Sequence, residues 1–496
     1  MGKVLNYALI IAYLFLIVFS SSLTIRSSFA NEERTNTQLS ADYFGLSPTR
    51  SASGKTISPD KLGSSEYCGH CHTQVFQQWN ASSHHFSSFN NPIYRKIALA
   101  TAQKKGTEAL KFCAGCHDPL PLLSGEMDNL DLTSWSSNAG ITCLACHRIT
   151  EVHGGNGNYV IDEPTLHPFA LAEDKKLQKL HKIMLEVTPQ LHTKVLNKPF
   201  YSSAEYCATC HTLNVPKEIN GTTDITLQDE YSEWLSSHYA GTSSNQNHKA
   251  QSSSEHGDKQ KTCIDCHMPL VESDDPAAKD GLIKSHHFPG GNTLLPTFNR
   301  DEKLLQATEK FLQNNAIKVS IAGARKNAKN EFRNIDSIKL IAGDNVDLAL
   351  QVQNTGVGHN FPAGTIDSNE SWLELTVTDS LNRTIFNSGG LDSDGEITAD
   401  SIKFGATLVD SHGNKLDRRN STSEAVAIQQ LQVIPPGAIR QFSYSFTLPD
   451  SAVLPITVNA KLNWRKYSPS FAQWVFAGRP IPEVPITVMT EAQVTM

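Results

Sequence analysis

Cys68-Gly69-His70-Cys71-His72 is the first of five C-x-x-C-H motifs in this chain of 496 residues. The other four use the remaining eight cysteines: Cys113-Ala-Gly-Cys116-His117, Cys143-Leu-Ala-Cys146-His147, Cys207-Ala-Thr-Cys210-His211 and Cys263-Ile-Asp-Cys266-His267. Paired cysteines also occur in disulfides, zinc sites and thioredoxin-like redox sites. None of these requires a histidine directly after every pair, so the repeated spacing argues against all three.

C-x-x-C-H is the attachment motif of c-type haem. Two thiols add across the vinyl groups of one porphyrin, and the histidine that follows ligates the iron from one side. The chain therefore predicts five covalently bound haem c groups. The predicted thioether residues are Cys68, Cys71, Cys113, Cys116, Cys143, Cys146, Cys207, Cys210, Cys263 and Cys266, and the predicted proximal ligands are His72, His117, His147, His211 and His267.

The second axial position of each iron decides the chemistry. A histidine there gives a low-spin haem suited to electron transfer, whereas an open position lets a small molecule bind and react. With 19 histidines in the chain, we expect mainly bis-histidine ligation. The candidate distal ligands are His84, His153, His192, His238, His286 and His359, of which His84 and His286 have the adjacent competitors His85 and His287.

The first 30 residues predict a secretory signal peptide. A basic start is followed by an apolar run, Val4–Phe19, and by a small-x-small site at Ser28-Phe29-Ala30. An uncleaved N-terminal anchor is the alternative, although this run is shorter than the ~20 residues of a spanning helix. The chain is therefore expected to be exported to the periplasm, or alternatively to the outer surface or the medium, with no membrane span after cleavage.

The rest of the chain divides by pattern. Residues 31–62 are polar and predict a linker, and residues 63–315 contain all five motifs. So short a segment cannot build a conventional core around each of five cofactors, so we expect a mostly helical or irregular domain with the porphyrins as its core. Over residues 316–490, apolar residues alternate with polar ones, as in Val346, Leu348, Leu350 and Val352. This period of two predicts an antiparallel Ig-like β-sandwich, and hence an α+β multidomain fold class.

Several phrases resemble exported multihaem cytochromes c. Tyr67–His85 (YCGHCHTQVFQQWNASSHH) resembles the first module of the tetrahaem cytochromes that accept electrons from hydroxylamine oxidoreductase. NTGVGHNFPAG, which begins at Asn354, and VNAKLNWRK, which begins at Val458, resemble a β-domain appended to some of these proteins. In the tetrahaem family, the histidine of the W-x-x-S-x-H stretch ligates a haem other than its neighbour. The resemblance therefore implies that His84 is a distal ligand of a later haem.

Three functions are compatible with these features. The first is electron transfer between redox partner proteins through five closely packed haems. The second is a haem-dependent reductase or other oxidoreductase acting on a small nitrogen or sulfur compound at one open haem. The third is a subunit of an extracellular cytochrome filament, in which the chain would form an oligomer. The net charge of −7 and pI near 6.3 argue against nucleic-acid binding.

Overall fold

A computed structural model describes residues 44–63, 65–163, 169, 172, 174–241, 260–327, 331–416 and 419–496. The predicted signal peptide, residues 1–30, and the first part of the predicted linker lie outside the described residues. Within the described residues, no helix is both long enough and apolar enough to cross a bilayer.

Helices and short sheets form the part of the chain that contains the motifs. The helices are α1 (Pro59–Gly63), α2 (Ser65–Gly69), α3 (Thr73–Ala81), α4 (Pro92–Lys105), α5 (Glu108–His117), α6 (Pro119–Ser124), α7 (Cys143–His147), α8 (Lys175–Val187), α9 (Pro189–Leu196), α10 (Ala204–His211), α11 (Lys217–Asn220), α12 (Glu230–Leu235), α13 (Cys263–His267), α14 (Leu294–Asn299) and α15 (Glu302–Leu312). The strands are β1 (Arg50–Ser51), β2 (Ile149–Val152), β3 (Tyr159–Ile161), β4 (Thr212–Val215), β5 (Ile225–Asp229), β6 (Leu270–Glu272) and β7 (Leu282–Lys284), in sheets β1-β3-β2, β4-β5 and β6-β7.

Each motif begins in or occupies a helix. Residues three apart lie on one helix face, so the two cysteines of a motif project from the same side. The motif histidine is the last residue of α5, α7, α10 and α13. Side chains stabilise the start of α7, α10 and α13, because Thr142 and Ser203 accept backbone N–H groups of Ala145 and Tyr206, and Asp265 accepts that of Thr262.

A conventional hydrophobic core lies beside the motifs, which differs from the expected core made of porphyrins alone. It includes Phe44, Ile57 and Leu62, which are almost fully buried, together with Leu110 and Ile161. The described residues between Phe44 and Leu62 are therefore packed into the helical part, where the polar composition of residues 31–62 predicted a linker. A few apolar side chains in a polar segment suffice for this, because each fully buried one contributes about 1.5–3 kcal/mol.

Antiparallel strands form the C-terminal part of the chain. They are β8 (Ile317–Lys326), β9 (Asn345–Asn354), β10 (Glu370–Thr378), β11 (Thr384–Ser388), β12 (Ile402–Val409), β13 (Lys415–Leu416), β14 (Ala427–Gln432), β15 (Ile439–Thr447), β16 (Thr457–Arg465) and β17 (Thr487–Thr495), with a helix α16 (Pro469–Val475) between the last two. One sheet has the order β15-β9-β8. The other has the order β13-β12-β10-β16-β17, with β11 beside β10 and β14 beside β12.

The two sheets share one core. Val346, Leu348, Leu350 and Val352 of β9 are fully buried, and they belong to the same cluster as the alternating apolar residues of β10 and β16. The alternating apolar residues identified in the sequence are thus the side chains that point from β9 into the core. Strand β17 extends to Thr495, beyond the predicted boundary at residue 490, and pairs with β16 along its length.

Leu348 tests how much this shared core contributes to stability. It is fully buried, so Leu348→Ala is expected to lower the free energy of unfolding by about 2–5 kcal/mol because it leaves a cavity. Urea denaturation followed by circular dichroism measures the change. The control is Leu381→Ala, because Leu381 is 61% exposed and its loss should change stability by less than about 0.5 kcal/mol. Equal effects of the two substitutions would contradict the packing described.

The hydrogen bonds of Asp379 allow a prediction of how the stability of the β-domain changes with pH. Its carboxylate accepts hydrogen bonds from the Arg383 guanidinium and from backbone N–H groups of Leu381, Arg383 and Val453. The Arg383 hydrogen bond, followed by the backbone donors, lowers the pKa of Asp379 to about 2. A depressed carboxyl pKa stabilises the fold above the unfolded value and loses this effect as the pH falls through the folded value.

Asp379→Asn should therefore be less stable than the wild type at neutral pH and lose less stability between about pH 5 and pH 2. Urea midpoints measured across this range provide the comparison. Asp394→Asn, an exposed aspartate in the same sheet region, is the matched control. Parallel stability curves for the wild type and Asp379→Asn would rule out this role.

Candidate haem site

One large cavity contains the side chains of all five motifs. Its volume is about 2480 Å³, and its lining includes all ten cysteines and all five motif histidines. A site for one small ligand has about 300–1,000 Å³, so this cavity has room for several large cofactors. All ten thiols are free of disulfides. The residues present thus fit the porphyrins that the motifs predict.

Four motif histidines lie opposite a second histidine across this cavity. The ring centroids are 6.1 Å apart for His72 and His192, and 6.3 Å apart for His84 and His211, for His147 and His286, and for His267 and His359. Two imidazole nitrogens bound to one metal at about 2 Å each place the ring centroids about 6 Å apart. Each pair therefore has the spacing that a single iron between the two rings requires.

The remaining motif histidine has a different neighbour. His117 stacks on the ring of Tyr94, with 4.3 Å between centroids and 11° between planes. The Tyr94 hydroxyl hydrogen-bonds the buried carboxyl of Asp118, whose pKa burial raises to about 8. The second motif is thus flanked by the Tyr94 ring and the buried Asp118 carboxyl group.

Hydrogen bonds donated by Nδ1 orient four of the five motif histidines. His117 donates to the Ser87 carbonyl at 2.8 Å, His147 to the Leu196 carbonyl at 2.6 Å and His267 to the Pro289 carbonyl at 2.7 Å. His72 instead donates to the Asp275 carboxylate at 2.8 Å. Because Nδ1 carries the proton, Nε2 keeps its lone pair for a metal.

Burial lowers the pKa of several histidines that line the cavity, which keeps their imidazoles neutral. Loss of hydration, followed by the nearby His211, lowers the pKa of His84 to about 3. Burial also lowers the pKa of His267 and of His286 to about 4. Neutral imidazole is the form that ligates a metal, so these side chains are in the right protonation state at neutral pH.

The motifs also contact one another. The side chains of Cys68 and Cys143, of Cys210 and Cys116, and of Cys207 and Cys263 are neighbours that interact electrostatically. Tyr206, in the helix of the fourth motif, lies 2.8 Å from the sulfur of Cys146 in the third motif. The contacts therefore join the first motif to the third, the third to the fourth, and the fourth to the second and the fifth.

A loop of the β-domain brings His359 to the fifth motif. Buried Asn354 donates its side-chain amide to the carbonyl oxygens of His359 and Ile434, at 3.0 and 3.1 Å. Asn360 donates its backbone N–H and its amide to Glu233 of α12, at 3.0 and 2.6 Å. Burial raises the pKa of Glu233 to about 7. The loop is thus held from both domains.

Two candidate distal ligands lie elsewhere. His153 is half-exposed and its ring contacts Glu151 at 3.2 Å, while His238 is exposed and its ring packs on Tyr239. Neither lines the cavity. The sequence placed them close to a motif along the chain, but β2 and the turn after α12 direct them to the surface, so the geometry does not support either as a ligand.

The two adjacent competitors differ, because His287 lines the cavity and His85 does not. His85 hydrogen-bonds the Asn80 carbonyl at 2.7 Å and packs on Trp79, outside the cavity lining.

No pattern in the sequence predicted that Asp275, Glu233 and Tyr94 would lie at the site. Asp275 is 203 positions from the histidine that it contacts, and single acidic residues at such separations carry no pattern.

Comparisons with known proteins match one segment of the sequence and the fold. Residues 67–148 match the family model described as cytochrome c554 and c-prime. The fold is similar to the crystal structure of a penta-heme cytochrome c552 from Thermochromatium tepidum, with 18% identity, a TM-score of 0.53, and coverage of 88% of this chain and 99% of that chain. Spo0M, a sporulation control protein from Bacillus subtilis, aligns at 11% identity with a TM-score of 0.14, over 36% of this chain and 48% of its own. No curated protein matches the chain. The family match and the five motifs together support a multihaem cytochrome c with covalently bound haem c.

Glu233 provides a test of the loop that holds His359. Glu233→Ala removes a carboxylate that accepts two hydrogen bonds from Asn360, and each bond to a charged group contributes about 1.5–3 kcal/mol. The urea midpoint of the haem-loaded protein should fall. Glu218→Ala, an exposed glutamate of the same domain, should leave the midpoint unchanged. The anchoring role is wrong if both variants unfold at the wild-type midpoint.

Proposed function

We propose that this protein is an exported electron-transfer cytochrome with five haem c groups, most of them ligated by two histidines. The observation that carries the proposal is the set of four histidine pairs, 6.1–6.3 Å apart, inside the cavity that contains all ten motif cysteines. Bis-histidine ligation leaves no exchangeable site on the iron and favours outer-sphere electron transfer.

The ligand assignment follows from the pairs. His72, His147, His211 and His267 would hold the irons of the first, third, fourth and fifth haems from one side, and His192, His286, His84 and His359 respectively from the other. His117 would hold the iron of the second haem. Bound haem supplies one-electron redox chemistry. The chain would hold each porphyrin by two thioethers, and it orients four of the motif imidazoles through Nδ1.

The contacts between motifs support a continuous route for electrons. They run from the first motif through the third to the fourth, and from there to the second and the fifth. Haems attached at neighbouring motifs would lie close together, which would let an electron pass from one to the next. Redox proteins at two ends of this route would be the donor and the acceptor.

The domain boundaries and the location belong to the same proposal. Residues 1–30 are a signal peptide that directs the chain to the periplasm or beyond, residues 63–315 carry the haems, and residues 316–490 are the core of an Ig-like β-sandwich. The two packed sheets support the last point. By supplying His359, the β-domain would be part of the redox machinery.

The proposal predicts the spin state of the haems. The purified protein should contain five haems, and the four with histidine pairs should be low-spin and unaffected by carbon monoxide after reduction. Haem content from the pyridine haemochrome assay, electron paramagnetic resonance and carbon monoxide difference spectra provide the measurements. More than one high-spin haem in the wild type would contradict the proposal, whereas a single high-spin haem that binds carbon monoxide would favour the enzyme alternative at the second motif.

Single substitutions assign the ligands. His359→Ala should convert one further haem to a high-spin, carbon monoxide-binding state, because it empties the distal position of the fifth haem. His238→Ala and His153→Ala are the matched controls, since neither side chain lines the cavity. A new high-spin haem in either control, and none in His359→Ala, would overturn the assignment.

A further inference from the structure

The first motif histidine differs from the others in the group that its Nδ1 contacts. Asp275 Oδ1 lies 2.8 Å from His72 Nδ1, and the Asp275 side chain has no exposure to solvent. Asp275 lies between β6 and β7, in a segment that follows the fifth motif along the chain. The two residues are thus brought together only by the fold.

The contrast with the other motifs is one of charge. The Nδ1–H groups of His117, His147 and His267 are bound by backbone carbonyl oxygens at 2.6–2.8 Å, which carry only a partial charge. The distal candidates His286 and His359 also bond carbonyl oxygens, of Lys284 and Asn360, at 2.9 Å. A carboxylate attracts the Nδ1 proton more strongly, so it makes Nε2 a better electron donor.

Few other groups compensate the Asp275 carboxylate. Oδ1 also accepts the Ala277 backbone N–H at 2.9 Å, and Oδ2 is buried with no hydrogen-bond partner among the described residues. A buried, incompletely paired negative charge is costly unless a positive charge lies nearby. An iron held by His72 carries one more positive charge when oxidised than when reduced, so the carboxylate favours the oxidised state.

We propose that Asp275 is a positioning residue that lowers the reduction potential of the haem at the first motif relative to the other haems. The inference rests on the proposed function and deepens it. In the contacts among described residues, the first motif is at one end of the route, joined to the third. The route would therefore end at the haem whose oxidised state the Asp275 carboxylate favours, which suits entry of electrons from a low-potential donor and their passage inward.

The experiment compares variants of the full haem-loaded protein by potentiometric titration. Asp275→Asn keeps the size and one hydrogen-bond acceptor but removes the charge. We expect one of the five reduction steps to become more favourable by about tenfold, which is about 59 mV for one electron, while the other four remain in place. Asp275→Glu should restore the low potential. Asp274→Asn, an exposed neighbour of equal charge, is the control.

A second measurement reports on the iron–histidine bond itself. In a His192→Ala background, the first haem loses its distal ligand, and resonance Raman of the reduced protein then detects its iron–His72 stretch. Adding Asp275→Asn should lower that frequency, because the histidine becomes a weaker donor. This readout does not depend on activity or on a known redox partner, and haem content shows whether each variant has folded and been loaded.

The outcomes separate the inference from the proposal on which it rests. If His192→Ala produces no new high-spin haem, the assignment of the first haem is wrong. If it does, but Asp275→Asn changes neither a reduction step nor the iron–histidine frequency, only the role of Asp275 fails. An equal shift in Asp274→Asn would also overturn that role, because it would point to net charge and not to the contact with His72.

Discussion

Pairs of imidazoles that face each other about 6 Å apart are the constraint on which the helical part of this protein depends. The members of a pair come from segments that are distant along the chain, such as His84 with His211 and His147 with His286. An iron bound between them would cross-link those segments. Because such a site does not exist in the unfolded chain, the free energy of ligation becomes free energy of folding.

This constraint explains why so little conventional core is needed around the motifs. A hydrophobic cluster around Leu62 and Leu110 stabilises the N-terminal side, two smaller clusters lie around Phe112 and Leu294, and the large cavity lined by the motifs lies among them. The porphyrins would supply the apolar bulk that side chains supply elsewhere. The helices that bear the motifs can then be as short as α7 and α13, which have five residues each.

The β-domain contributes a histidine, His359, to the cavity that contains the motifs. Its two sheets have a core of their own, but the loop at the end of β9 extends to the fifth motif. Glu233 and Trp464 connect the domains, since Glu233 binds Asn360 and the Trp464 indole donates to the Gly291 carbonyl at 2.8 Å. Contacts from both domains therefore position His359 opposite His267.

The sequence by itself determined the chemistry that is local. The C-x-x-C-H spacing places two thiols and an imidazole within one helical turn, and the alternation at Val346–Val352 follows the period of a strand, so both could be predicted without the fold. Of the six histidines predicted as distal ligands, four lie opposite a motif histidine in the structure. Only the tertiary structure decided which histidine faces which, how the motifs are arranged in space and that Asp275 contacts His72. The physical reason is that each of these is a meeting of residues far apart in the chain, which only the packing of the whole molecule brings to within a few ångströms.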